Sequence, residues 1–103
     1  MAIKESALTQ RILKQLNAAP FTKAIKLHGG PYGRVGEPDI IGAYNGRAFV
    51  MEVKVGKNKP TKLQEHRLSE WRAAGAGFAI AYEDFDVERF TAMLSWQIGD
   101  RHV

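Results

Sequence analysis

The sequence has no cysteine among its 103 residues. That excludes a disulfide framework, a thiolate zinc site and a thiol nucleophile. Its longest apolar runs fall far short of the roughly 20 residues that a membrane-spanning helix needs. The opening Met-Ala-Ile-Lys-Glu carries no apolar h-region, so no signal peptide is expected. Only three histidines are present, and they are scattered. Neither a His-rich transition-metal site nor a Ser-His or Cys-His pair finds support. Repeats, low-complexity tracts and linkers are missing too. What remains is 45% hydrophobic and 25% charged, an ordinary balance for a folded chain. Residues 1–103 are expected to form one domain around one core, in the cytoplasm and away from membranes. Fifteen Lys and Arg stand against 11 Asp and Glu, a net charge of +4, which is compatible with a polyanionic partner.

The apolar pattern predicts a helix over 4–18, where Leu8, Ile12, Leu13 and Leu16 recur at helical spacing. Glu5 falls on the same stripe. A carboxylate there is either a first-turn charge favoured by the helix dipole or a functional group. Ala24 to His28 predicts a short strand with Ile25 and Leu27 alternating. Four glycines and two prolines between 29 and 38 predict a loop. Strands are expected over 39–44 and 47–55, joined by Asn45-Gly46, a dipeptide suited to a type I′ hairpin turn. A second helix is expected over 61–74, with Thr61 and Gln64 spaced as a capping box. A strand over 78–82 and a third helix from Val87 to about Ile98 complete the chain. The order is αβββαβ(α), an α/β fold with a mixed sheet flanked by helices. The strand carrying Glu52 is expected at its centre.

A two-residue turn at Asn45-Gly46 makes partner numbers across the hairpin sum to 91. Ile41 then faces Val50, and Asp39 faces Glu52. Alternation puts Asp39, Ile41 and Ala43 on one face with Ala48, Val50, Glu52 and Lys54. Two carboxylates therefore oppose each other at the end of an apolar face, with Cβ atoms roughly 4.5–5.5 Å apart. Like charges so placed repel, and burial adds a desolvation cost. A hard divalent cation, Mg²⁺ or Mn²⁺, would neutralise the pair. Lys54 follows on the same face, within reach of a water, a carboxylate or a phosphate oxygen. Pro38 fixes the backbone just before Asp39. The alternative is an exposed acidic pair with a compensating lysine. Deleting either carboxylate is expected to leave the metal-free fold unharmed or slightly stabilised.

Pro38-Asp39 followed by Glu52-Val53-Lys54 resembles the PD-(D/E)xK nuclease motif. The element order resembles that superfamily's restriction-endonuclease-like core over essentially the whole chain. Glu5 in the first helix, Gly36-Glu37-Pro38-Asp39, Glu52-Val53-Lys54 and a helix carrying Gln64 are similar to the VRR-NUC (virus-type replication-repair nuclease) group.

The resemblance implies a metal-dependent DNA endonuclease. Asp39, Glu52 and the Val53 carbonyl would hold Mg²⁺ or Mn²⁺. Lys54 would orient or activate the attacking water or stabilise the transition state. Glu5 would hold a metal-bound water or a second ion. Gln64 would position Lys54 or the phosphate, with the capping box as its other reading. Lys57, Lys59, Lys62 and Arg67 line the segment after the motif, and Lys23, Lys26 and Arg34 surround the loop before it. Each either tracks a DNA phosphate or is a solvated surface charge. The resemblance further implies branched DNA, such as a Holliday junction or a flap, as substrate and a homodimer as the working form. Trp71, Phe90, Leu94 and Trp96 are expected either in a dimer face or in the core. Two rival functions are a nucleic-acid-binding module with a degenerate site and a sequence-reading restriction nuclease. The second lacks an obvious recognition insertion.

Overall fold

The computed structural model describes residues 3–28 and 35–99, the side chains of 96–99 excepted. Its elements are α1 (Glu5–Ala18), β1 (Thr22–Lys26), β2 (Ile40–Tyr44), β3 (Arg47–Val53), α2 (Lys62–Ala73), β4 (Gly77–Ala81) and α3 (Val87–Gly99). The four strands form one sheet in the order β1-β2-β3-β4. The first two pairings are antiparallel, and β4 lies parallel to β3. The sheet is mixed and β3 is central, as the hairpin and the helical crossover require.

Leu8, Ile12 and Leu16 recur every four residues on α1 and are fully buried. They meet Phe49, Met51 and Val53 on one face of the sheet, together with Phe90 and Leu94 of α3. Phe90 packs edge-on against Phe49, with ring centroids 5.0 Å apart. Of the two readings open for Phe90 and Leu94, a dimer face or the core, the structure places both in the core. The side chain of Trp96 lies outside the described residues. The other face belongs to α2, whose Arg72 guanidinium lies 5.7 Å from the ring centroid of Phe78, the partner of Val50.

β1 departs from the sequence expectation. It begins two residues earlier, at Thr22, and it turns Ala24 inward while Ile25 is 53% exposed. The reason is the register, which aligns Ala24 with Gly42 and Gly42 with Phe49. The Phe49 ring occupies the space that side chains on β1 and β2 would fill. A Cβ on Gly42 would collide with the Lys23 carbonyl oxygen and lie 2.7 Å from Phe49 Cζ. Small residues at 24 and 42 thus let one large ring cover two strands.

Gly42→Ala is therefore expected to destabilise the protein by about 1–3 kcal/mol, because the obstruction includes backbone that cannot retreat. At this size each kcal/mol lowers the melting temperature by about 4–8 °C. Thermal unfolding followed by circular dichroism checks this. A variant melting at the wild-type temperature would contradict the packing described.

Candidate metal and phosphate site

The hairpin turn has the positive backbone φ angles that Asn-Gly supplies, 50° at Asn45 and 82° at Gly46. Its register is the expected one: Tyr44 pairs with Arg47, Ala43 with Ala48, Ile41 with Val50 and Ile40 with Met51. The ladder stops there, one residue short of the expected strand start. The next position brings Asp39 alongside Glu52. Asp39 Oδ2 accepts the Val53 backbone N–H at 2.7 Å. That bond replaces the next rung, and β3 ends at Val53 instead of Val55. On the other side, Lys54 N–H still donates to the Ala81 carbonyl at 2.9 Å.

Glu52 is 1% exposed, and its Oε2 is buried with no hydrogen-bond partner among the described residues. Its carboxyl is pushed up from an ordinary 4.5 to about 9. Burial is the largest cause. A hydrogen bond with the Asp39 carboxyl and the Asp39 charge follow; Lys54 opposes the shift and Glu5 adds to it. Without a cation, Glu52 favours its protonated form, because burial and the carboxyl of Asp39 beside it make its negative charge costly. An orphaned carboxylate oxygen beside a second carboxylate fits a hard cation. Among the described residues no group of three or more His, Asp or Glu side chains gathers around one point. A cation here would rest on Asp39 and Glu52 and complete its shell with carbonyl and water oxygens. Glu5, half-buried at the start of α1, contributes charge to this region without completing a third carboxylate ligand.

The loop that delivers Asp39 is fastened to α2. Leu63, Arg67 and Trp71 are spaced by four and form one stripe of that helix. A Cβ on Gly36 would lie 2.7 Å from Leu63 Cγ. Arg67 Nε donates to the Val35 carbonyl at 3.2 Å, and Trp71 Nε1 donates to Glu37 Oε1 at 3.1 Å. Pro38 is fully buried beneath them. The four-residue spacing could have been read from the sequence; the partners at 35–37 could not.

Several candidate residues have duties in the fold. Arg67 also donates to Glu70 Oε1 at 3.0 Å, and its side chain is only 16% exposed. Its guanidinium is engaged inside the protein. Gln64 completes the capping box: Thr61 N–H donates to Gln64 Oε1 at 2.9 Å, and Gln64 N–H to Thr61 Oγ1 at 3.1 Å. Its amide oxygen is thereby committed to the helix start. Lys57, Lys59 and Lys62 are exposed, Lys54 is half-buried, and Arg34 lies outside the described residues. Trp71 is half-buried against the loop and is accounted for by its bond to Glu37. The expectation that losing Asp39 would be harmless to the metal-free fold is corrected by its bond to Val53. Its deletion would strand a buried N–H at a cost of about 1–3 kcal/mol.

No protein-family model matches the sequence, and no curated protein matches it. Solved structures do share its fold. A VRR_NUC domain protein superposes with a TM-score of 0.72 at 13% identity, over 94% of this chain and 92% of that one. Hjc, a Holliday junction resolvase from the archaeal hyperthermophile Archaeoglobus fulgidus, superposes with a TM-score of 0.58 at 20% identity. That match covers 78% of this chain and 69% of the resolvase. The architecture is therefore the nuclease-like one that the motif resemblance implies.

The raised Glu52 carboxyl carries a pH prediction for the metal-free protein. A carboxyl whose pKa is higher folded than unfolded binds its proton more tightly in the folded state. Its stabilising contribution is full below about pH 4.5 and is lost as pH rises through about 9. With chelator present, the wild-type melting temperature should decline across that window. Glu52→Gln should flatten the decline and melt several degrees higher at the alkaline end. Equal slopes for the two proteins would contradict a Glu52 carboxyl that holds its proton more tightly in the folded state.

Proposed function

We propose that the chain is a metal-dependent DNA endonuclease that hydrolyses phosphodiester bonds, selective for branched DNA such as four-way junctions or flaps. The observation that carries this reading is the orphaned, buried Glu52 carboxylate beside Asp39, followed on the same face by Lys54. The likeness in fold to a VRR_NUC domain protein and to a junction resolvase supports the same reading. Asp39 and Glu52, with the Val53 carbonyl, would hold Mg²⁺ or Mn²⁺. Such an ion, when bound, lowers the pKa of water and offsets charge on the phosphate.

The chain's own residues supply the rest. Asp39, fixed by the Val53 N–H, keeps its carboxylate at the end of the sheet. Glu52, protonated in the metal-free protein, would have to lose that proton to serve as a ligand, so cation affinity would strengthen as pH rises. Lys54 places an ammonium where water attacks phosphorus, and the leaving ester oxygen departs from the opposite side. That ammonium offsets charge building on the phosphoryl oxygens. Glu5 orients a water at the edge of the pair. Gln64 keeps its amide oxygen in the helix cap, and its amide nitrogen remains the group that can reach a phosphate. Lys57, Lys59 and Lys62 contact phosphates flanking the cut. A four-way junction carries paired cleavage points, which two copies of one site in a homodimer would match. DNA is met in the cytoplasm of a bacterial or phage-infected cell, and none of the described helices is long and apolar enough to cross a membrane.

Labelled duplex, flap and four-way substrates, with Mn²⁺, Mg²⁺ or chelator, test the reading. Wild type should cut branched DNA only with metal. Lys54→Ala should lose about 10²–10³-fold in kcat yet keep the rise in melting temperature that metal gives. Glu52→Gln should lose both. Sedimentation should find the 11.5 kDa chain as a dimer at micromolar concentration. DNA binding without cleavage under any metal would convert the reading to that of a binding module.

A further inference from the structure

The turn after Lys54 is held from a single place in the chain. Asn58 N–H closes the turn on the Val55 carbonyl at 3.1 Å. Gly56 N–H donates to Glu83 Oε1 at 2.9 Å, and the Tyr82 hydroxyl donates to the Asn58 carbonyl at 2.8 Å. Tyr82 and Glu83 are consecutive and immediately follow β4. The Glu83 carbonyl in turn accepts a hydrogen bond from the Arg11 guanidinium of α1 at 3.0 Å. One dipeptide therefore ties α1 and the exit from β3 together, on the path that leads into α2.

Packing does not explain the order of this turn, because residues 56–59 are all exposed. An exposed segment that includes a glycine carries large conformational freedom unless specific bonds restrain it. Tyr82 and Glu83 make side-chain bonds to its backbone. Lys57 and Lys59 sit on it, and neither forms an ion pair among the described residues. Glu83 is the odd member. A carboxylate beside two lysines opposes their attraction for phosphate, yet here it is bonded to a backbone amide.

We infer that Tyr82 and Glu83 are positioning residues for the DNA backbone: they fix the Lys57–Lys59 turn so that its ammonium groups meet phosphates at a set distance from the Asp39–Glu52 pair. This rests on the nuclease reading above. The carboxylate of Glu83 acts through its bond to Gly56 and not through its charge.

Glu83→Ala, Glu83→Gln and Tyr82→Phe separate the possibilities. If charge alone mattered, Glu83→Ala would tighten DNA binding by removing a repulsion. Positioning demands the opposite sign. Glu83→Ala and Tyr82→Phe should raise KM for junction DNA about three- to tenfold, with kcat falling less than about twofold. Their binding should lose about one to two units of salt dependence as Lys57 and Lys59 fall out of register. Glu83→Gln, whose amide oxygen can still accept from Gly56, should stay near wild type. Amide hydrogen exchange over residues 54–61, measured without DNA, should be faster in the first two variants only. Unchanged exchange in Glu83→Ala and Tyr82→Phe would overturn the inference whatever the protein does to DNA. So would tighter or unchanged binding by Glu83→Ala. Wild-type protein that neither binds nor cuts DNA would instead refute the nuclease reading and, with it, the role given to the lysines; a changed exchange rate would then record only the restraint of the turn.

Discussion

Asp39 and Glu52 bring two carboxyl groups together at the end of a buried hairpin, a contact that opposes folding unless a proton or a cation lies between them. Much of the surrounding structure serves to hold it in place. The Asn45-Gly46 turn fixes the register, and the buried Pro38 fixes the approach of Asp39. The Val53 N–H holds one oxygen of Asp39 from the neighbouring strand. The loop from Val35 to Glu37 is fastened to α2 at three successive turns of that helix. Each restraint is modest alone. Together they prevent the carboxyls from separating, which is the relaxation their repulsion favours.

Several of the cationic side chains differ in what they contact. Arg11, Arg67 and Arg72 make contacts within the fold: one donates to a carbonyl beyond β4, one to the loop before Asp39, and one lies over the ring of Phe78. A guanidinium can donate in several directions and lie flat against a ring, so it suits contacts of fixed geometry. The described cations left exposed along 57–62 are all lysines, compact charges on flexible stems. That division suits a surface that follows a phosphate backbone without reading bases. It also explains why a run of positive charges in the sequence overstated the surface available. Arg67 belongs to the run by position and to the fold by contact.

The parts of this molecule that were legible in the sequence depend on local physics. The hairpin register followed from one dipeptide, the start of α2 from Thr61 and Gln64, and the core stripe of α1 from Leu8, Ile12 and Leu16. The pairing of Asp39 with Glu52 followed from the register alone. What could not be read depended on contacts far apart in sequence. Ile25 faces out because the Phe49 ring fills the space beside Ala24 and Gly42. Phe90 and Leu94 looked surplus because nothing local indicates that α3 closes the face that α1 leaves open. The bond from Asp39 to the Val53 N–H requires the ladder to stop at Ile40, and the strand pattern gave no sign of that.

That bond gives Asp39 two roles that Glu52 does not share. One of its oxygens completes backbone hydrogen bonding at the end of β3, while its carboxyl also helps push up the pKa of Glu52. Among the described residues Glu52 has no comparable bond to the backbone, and its Oε2 is unpartnered. The two carboxylates are therefore equivalent toward a cation but not toward the fold. Losing the charge at 52 relieves strain in the metal-free protein, whereas losing the oxygens at 39 removes a structural bond as well. The division follows from the geometry of a hairpin end. The residue entering the sheet must terminate a ladder, while the residue opposite it lies inside a central strand whose backbone is already paired. A site built there gains one ligand held rigidly by the backbone and one whose cost of ionisation only a cation or a proton can offset.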